Sequence, residues 1–137
     1  AAARRAIAWL QRELRAGGGF VAGQTKAQAR AADGAYAPLE GQRRVADDRV
    51  VGCAMQARDA MADAIVAGAS ACLVPPVGAV VVSNDRDLCV KCMVEGIAAF
   101  GVDEAPQTLD ALVAAARRSL EGGVLERAAE RARRGTG

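Results

Sequence analysis

The sequence predicts an α/β domain in which helices flank a buried sheet, and three observations carry that expectation. Ala79-Val80-Val81-Val82 is apolar without alternation and mostly β-branched, as in a strand covered on both faces. Around it, apolar residues recur at three- and four-residue spacing, the period of amphipathic helices. The third is Cys89-Val90-Lys91-Cys92, which stands where the strand-like run gives way to a helix-like one. A mostly helical, alanine-rich subunit of a larger assembly is the alternative architecture.

Taken in order, residues 3 to 15 place Ile7, Leu10 and Leu14 on one helical face with Trp9 close by, and Gly17-Gly18-Gly19 ends the helix. Residues 24 to 33 form a short alanine-rich helix before the turn signal Asp33-Gly34, and Pro38 and Gly41 prolong an irregular stretch. Asp47-Asp48 caps a long helix and complements its dipole. Its apolar face is Val51, Met55, Ala62, Ile65 and Val66, with Arg58, Asp59 and Asp63 turned to solvent and Gly68 as C-cap. Leu73-Val74 and Val77 to Val82 read as extended chain broken by Pro75-Pro76, and Ser83-Asn84-Asp85 is a turn. Met93, Val94, Ile97 and Phe100 stripe the next helix, which Gly101 stops. Leu109, Leu112, Val113 and Leu120 stripe the last strong one, and Gly122-Gly123 separates it from a charged terminal helix, residues 124 to 134. Residues 1–123 thus form one compact domain, loop-rich over 17–41, and residues 124–137 a charged helix or tail.

The chain of 137 residues can bury roughly two-thirds of the surface its unfolded form exposes, so it needs no metal merely to fold. Apolar residues make up 52%, yet Trp9, Phe20, Tyr36 and Phe100 are the only aromatics, so small side chains build the core and few platforms exist for stacking bases. Eighteen basic and 16 acidic residues leave a net charge of +2, which argues against nucleic acid as the partner. The arginine doublets, Arg133-Arg134 among them, read as solvated helix faces. No apolar run reaches membrane-spanning length, so the protein is expected to be soluble. The arginine-bearing start reads as an ordinary first helix rather than a targeting remnant.

Four cysteines in a chain of this size do not resemble a secreted disulfide scaffold, and they point to a reducing compartment, the cytoplasm or an organelle interior. Cys89 and Cys92 can share a metal ion or a disulfide, and Lys91 between them favours the thiolate. Cys53, near the start of another apolar helix, supplies a third soft ligand, so Cys53, Cys89 and Cys92 form a candidate zinc site. Cys72 is either a fourth ligand or a small core residue. There is no histidine in the chain.

The order of these pieces resembles the small cytidine deaminases over roughly residues 30 to 115. The matching pieces are Ala35-Tyr36-Ala37-Pro38, Arg49-Val50-Val51-Gly52-Cys53-Ala54, the strand at Gly78 to Val82, Cys89-Val90-Lys91-Cys92, Ala99-Phe100-Gly101 and Thr108-Leu109-Asp110-Ala111-Leu112. The resemblance implies a three-layer sheet flanked by helices, with zinc held by Cys53, Cys89 and Cys92 and activating water against a pyrimidine ring. The family's proton-shuttling glutamate falls at Met55, and a thioether carries no proton. Leu88 likewise replaces the proline before the CxxC. The implied protein is therefore a zinc-binding, deaminase-like domain without efficient deamination, taking a nucleoside-like ligand or a protein partner and prone to homo-oligomerise. Two other readings stand beside it, a non-enzymatic helical assembly subunit and a thiol-disulfide protein using Cys89 and Cys92.

Overall fold

The computed structural model describes residues 1–17, 23–36, 45–68 and 78–135. Cys72, Phe20, the Leu73-Val74 segment and the Pro38–Gly41 stretch lie outside the described residues. Five helices and two short strands follow one another as α1 (Ala2–Ala16), α2 (Lys26–Ala35), α3 (Ala46–Val66), β1 (Val80–Val82), α4 (Arg86–Val94), β2 (Ala98–Phe100) and α5 (Leu109–Gly135). The architecture is mostly helical, as the alternative expectation had it. Among the described residues the only sheet is the parallel pair β1-β2, in register Val80 to Ala98 and Val82 to Phe100, so the three-layer sheet is not found.

Local chemistry accounts for the helix ends. Gly17 adopts φ 64, and its N–H closes α1 on the Glu13 carbonyl. Thr25 and Gln28 form a reciprocal capping box at the start of α2, with bonds of 2.8 and 3.1 Å. The α3 N-cap is Val45, and Asp47 and Asp48 occupy the first turn, where carboxylates suit the dipole. Asp85 caps α4 through its carboxylate, which accepts from the Asp87 and Leu88 N–H groups. The stripe Met93, Val94, Ile97 and Phe100 was expected to be one helix. Instead α4 ends at Val94, Gly96 turns left-handed at φ 75, which favours a helix stop, and the chain enters β2, with Ile97 buried and Ala98–Phe100 paired to β1.

The core lies where α3, α4 and the two strands meet. Val51, Leu88, Cys92 and Ile97 are buried together, with Ala54, Met55, Val81 and Ala99 packed around them. Burying a side chain such as Ile97 stabilises the fold by roughly 1.5–3 kcal/mol. On the other side of α3 lies α5, the helix with which it packs most extensively, and buried Ala62, Ala115 and Ala116 suit a close approach of helix axes.

The last helix also closes the sheet. Ser119 Oγ accepts the Ala98 N–H at the start of β2 at 2.8 Å, and a Cβ on Gly78, just before β1, would stand 2.3 Å from the Ala116 carbonyl oxygen. Helix α5 also runs unbroken through Gly122-Gly123, where a separation was expected. Gly123 faces the buried Arg58 side chain, and a Cβ there would meet Arg58 Nε at 3.2 Å.

Arg58 and Asp59 do not turn to solvent as the sequence suggested, being only 4% and 7% exposed. Asp59 accepts from Tyr36 Oη at 2.6 Å, Arg58 Nε at 3.0 Å and Arg127 Nη2 at 3.0 Å, while Arg58 Nη1 donates to the Glu95 carbonyl at 2.8 Å. Four elements therefore meet on one carboxylate and its neighbouring guanidinium. In contrast, α1 buries none of its residues, and Ile7, Trp9, Leu10 and Leu14 are exposed. No helix among the described residues is long and apolar enough to cross a membrane.

Candidate functional site

In an open parallel sheet the loops that follow the strands gather at one end, and that end is where such folds bind ligands. Here Ser83-Asn84-Asp85 follows β1 and Gly101 to Glu104 follows β2. Asn84 Oδ1 accepts the Val102 N–H at 3.2 Å and ties the two loops together. Ser83 Oγ accepts the Asp85 N–H at 3.1 Å, which steadies the aspartate that caps α4. Asp85, Asp87, Asp103 and Glu104 are exposed around this end.

A second pair of carboxylates faces α4 from the first turn of α3. Asp48 is held by the Val45 N–H at 2.9 Å, and the Lys91 ammonium stands 3.6 Å from Asp48 and 3.8 Å from Asp47. Asp87 precedes Lys91 by four residues and so shares its face of α4. The strip between the start of α3 and α4 thus carries Asp47, Asp48, Asp87 and Lys91. These side chains are half-buried or exposed, which leaves them open to a ligand. Adjacent carboxylates repel one another, so a cation beside them is favoured, and Lys91 fills that role within the chain.

The predicted cysteine site lies elsewhere. Cys53 is exposed in the third turn of α3 rather than at a helix start, and Cys89 and Cys92 are buried in α4. The Cys89 thiol donates to the Ser83 carbonyl at 3.4 Å, and Cys92 belongs to the apolar core. Burial, then the Cys89 and Asp47 charges, push the Cys92 thiol up, which disfavours the thiolate that metal binding and nucleophilic chemistry need. All three thiols are free, and among the described residues no group of three or more His, Cys, Asp or Glu side chains is placed to hold a metal ion.

A family model described as PIN domain matches residues 1–103 of the 137. The chain belongs to the PIN domain family. That membership overturns the cytidine deaminase resemblance and with it the reading of a zinc-binding, deaminase-like domain. The pieces that carried the resemblance are short and alanine-rich, and the same succession of helix, strand, CxxC and helix serves a different fold. No curated protein and no solved structure matches the chain.

The matched span of this PIN domain runs from α1 through β2 and contains Asp47, Asp48, Asp85, Asp87 and Lys91, while α5 lies beyond it. Sequence reasoning took Asp47-Asp48 for helix caps and Ser83-Asn84-Asp85 for a turn, and did not connect them. The available signal was an acid pair opening one helix together with an aspartate-bearing turn directly after a parallel strand, although β1 is half-buried and Val82 exposed rather than covered on both faces as its composition suggested.

Proposed function

We propose that this PIN domain is a nuclease-like domain that hydrolyses phosphodiester bonds of RNA with the help of a divalent cation, using the carboxylates between α3 and α4. Membership of the PIN family over residues 1–103 carries the reading, because PIN domains are nuclease-like and usually bind magnesium or manganese. Nucleic acid, disfavoured by the balanced net charge, becomes the partner class. A local acidic strip and local basic residues matter more for such a site than the sum over the chain.

The donor set fits a hard cation. Asp47 and Asp48 offer only oxygen, the ligand class of magnesium and manganese, whereas the thiols that suit zinc are buried or remote from this strip. Two carboxylates suffice for magnesium, which takes its remaining ligands from water and substrate phosphate. The ammonium of Lys91 already stands beside both carboxylates, so the strip attracts positive charge. When bound, a divalent cation supplies positive charge to a phosphodiester as a water oxygen replaces the leaving oxygen at phosphorus.

The chain's own residues do the rest. Asp47 and Asp48 hold the cation, and the Val45 N–H fixes the Asp48 carboxylate. Lys91 sets the direction of both carboxylates and offers its charge to a phosphate. Asp87 contributes a further acceptor on the same face of α4, and Asp85 keeps that helix end in place.

The test is cleavage of end-labelled single-stranded RNA with magnesium or manganese by the wild type and by Asp47→Asn/Asp48→Asn. The wild type should cleave, the double variant should lose at least 100-fold, on the order of what electrostatic catalytic groups supply, and its circular dichroism spectrum should remain that of the folded wild type at the assay temperature. Cleavage that survives the double substitution would place the chemistry elsewhere, and a wild type inert with every divalent cation would refute the reading.

A further inference from the structure

A cleft of about 250 Å³ opens between α2 and the first turns of α3, and its wall includes Asp48 of the proposed cation pair. Ala32 and Gly52, both buried, lie at its base, and Lys26, Arg30 and Arg49 stand exposed around it. Lys26 and Arg30 are four residues apart on α2, so their side chains leave the same face about 6 Å apart along the axis. Arg49 follows Asp48 directly.

Among the described residues none of these three cations forms an ion pair, whereas Arg58, Lys91, Arg127 and Arg134 are all engaged with carboxylates. Asp33 shares the wall with Asp48, so the cleft sets three cations outside any ion pair against two carboxylates; the excess is positive, an electrostatic footprint for a polyanion, and the continuity with Asp48 says which polyanion. Asp48 belongs both to the carboxylate pair and to the cleft wall, so a strand with a phosphodiester at that pair can continue along the cleft.

We infer that the α2/α3 cleft is the backbone-binding track for single-stranded nucleic acid entering the carboxylate site, with Lys26, Arg30 and Arg49 contacting successive phosphates. This rests on the nuclease reading. At about 250 Å³ the cleft has no room to enclose a double helix, so a single strand is its occupant. Among the described residues no aromatic side chain lines it, so its contacts go to phosphates rather than to stacked bases, and binding along it is sequence-tolerant.

The test is fluorescence anisotropy of short labelled uridine RNA and thymidine DNA strands with the full chain in EDTA, where cation-dependent cleavage is suppressed. Lys26→Gln/Arg30→Gln/Arg49→Gln should weaken binding tenfold or more at about 0.1 M salt and make the slope of log K against log salt shallower by about 2, as expected for three lost phosphate contacts. Lys26→Arg/Arg30→Lys/Arg49→Lys should retain wild-type binding. Arg117→Gln/Arg118→Gln/Arg133→Gln, which removes the same charge from exposed positions on α5, should bind as the wild type does.

Tighter binding of the RNA strand than of the DNA strand would assign the track to RNA, and equal binding to the shared phosphodiester. Equal losses in the cleft and α5 variants, unchanged binding in the cleft variant, or no binding by the wild type would each overturn the track. Cleavage measured separately with manganese keeps the two ideas apart. A wild type that cleaves while the cleft variant binds and cleaves normally removes the track alone, and one that binds through the cleft but never cleaves removes the nuclease reading alone.

Discussion

Replacing Asp59 by alanine should be the most damaging single change in the described structure. Its carboxylate is the common acceptor for Tyr36 Oη, Arg58 Nε and Arg127 Nη2, at 2.6, 3.0 and 3.0 Å. The three losses are unequal. Arg127 keeps Asp63 at 3.4 Å and Glu130 at 3.1 Å, and its side chain is 31% exposed, so the loss there is within about 1 kcal/mol. Tyr36 loses one hydrogen bond, again about 1 kcal/mol. Arg58 decides the magnitude, because its side chain is only 4% exposed and its other carboxylate neighbour, Glu126, is 3.9 Å away and largely in solvent. A buried charge left without its partner costs roughly 3–5 kcal/mol, a large fraction of the ~5–15 kcal/mol that holds a domain together.

Urea denaturation followed by circular dichroism measures this loss, with Asp63→Ala as an exposed control expected to change stability by under ~1 kcal/mol. The double variant Arg58→Met/Asp59→Ala should be more stable than Asp59→Ala alone, because the stranded charge has gone. A loss below about 1 kcal/mol for Asp59→Ala, or a double variant less stable than the single, would refute the account of the buried network.

Other predictions follow from the same geometry. Gly78→Ala should destabilise by about 1–3 kcal/mol, since its Cβ would press on the α5 backbone, and a melting temperature equal to the wild type would contradict that contact. Burial, followed by the hydrogen bond and charge of Asp59, raises Tyr36 from 10.0 to about 12, against the weaker pull of Arg127 and Arg58. A raised pKa favours the protonated phenol, so its contribution to stability is complete below pH 10.0 and is lost as pH climbs through about 12. Ultraviolet titration should show Tyr36 ionising late in the wild type and nearer its ordinary value in Asp59→Asn. Cys53 should react with a thiol reagent in the folded protein well before Cys89 and Cys92; comparable rates for all three would show the α4 thiols to be accessible.

Some of this was readable from residues alone. The valines of β1 announced a strand by being β-branched and unalternating, and Gly17 announced the end of α1. Phe100 was misassigned because the spacing of Met93, Val94, Ile97 and Phe100 fits a helix as well as it fits a helix, a glycine turn and a strand. The decision rests on Gly96 and on pairing with a strand sixteen or more residues earlier.

Arg58 and Asp59 looked solvated because charged residues usually are. Their burial depends on Tyr36 and Arg127, 23 and 68 residues from Asp59, which no local pattern reveals. The cysteines attracted attention through their chemistry, but spacing does not tell which way a thiol points, and the core claimed Cys92. Asp47 and Asp48 were overlooked for the opposite reason. Helix capping explains them locally, and their pairing with Lys91 on the neighbouring helix, on which the proposed cation-holding role rests, is visible only in the fold.

The reach of α5 has a practical consequence. The family match covers residues 1–103, yet Ser119 completes the start of β2, Ala116 abuts the approach to β1 and Arg127 neutralises Asp59. A polypeptide cut at the end of the shared region would have the family's elements without the surface on which they set. The span that the family match covers is thus shorter than the span whose contacts hold these elements together, and an expressed piece should include α5.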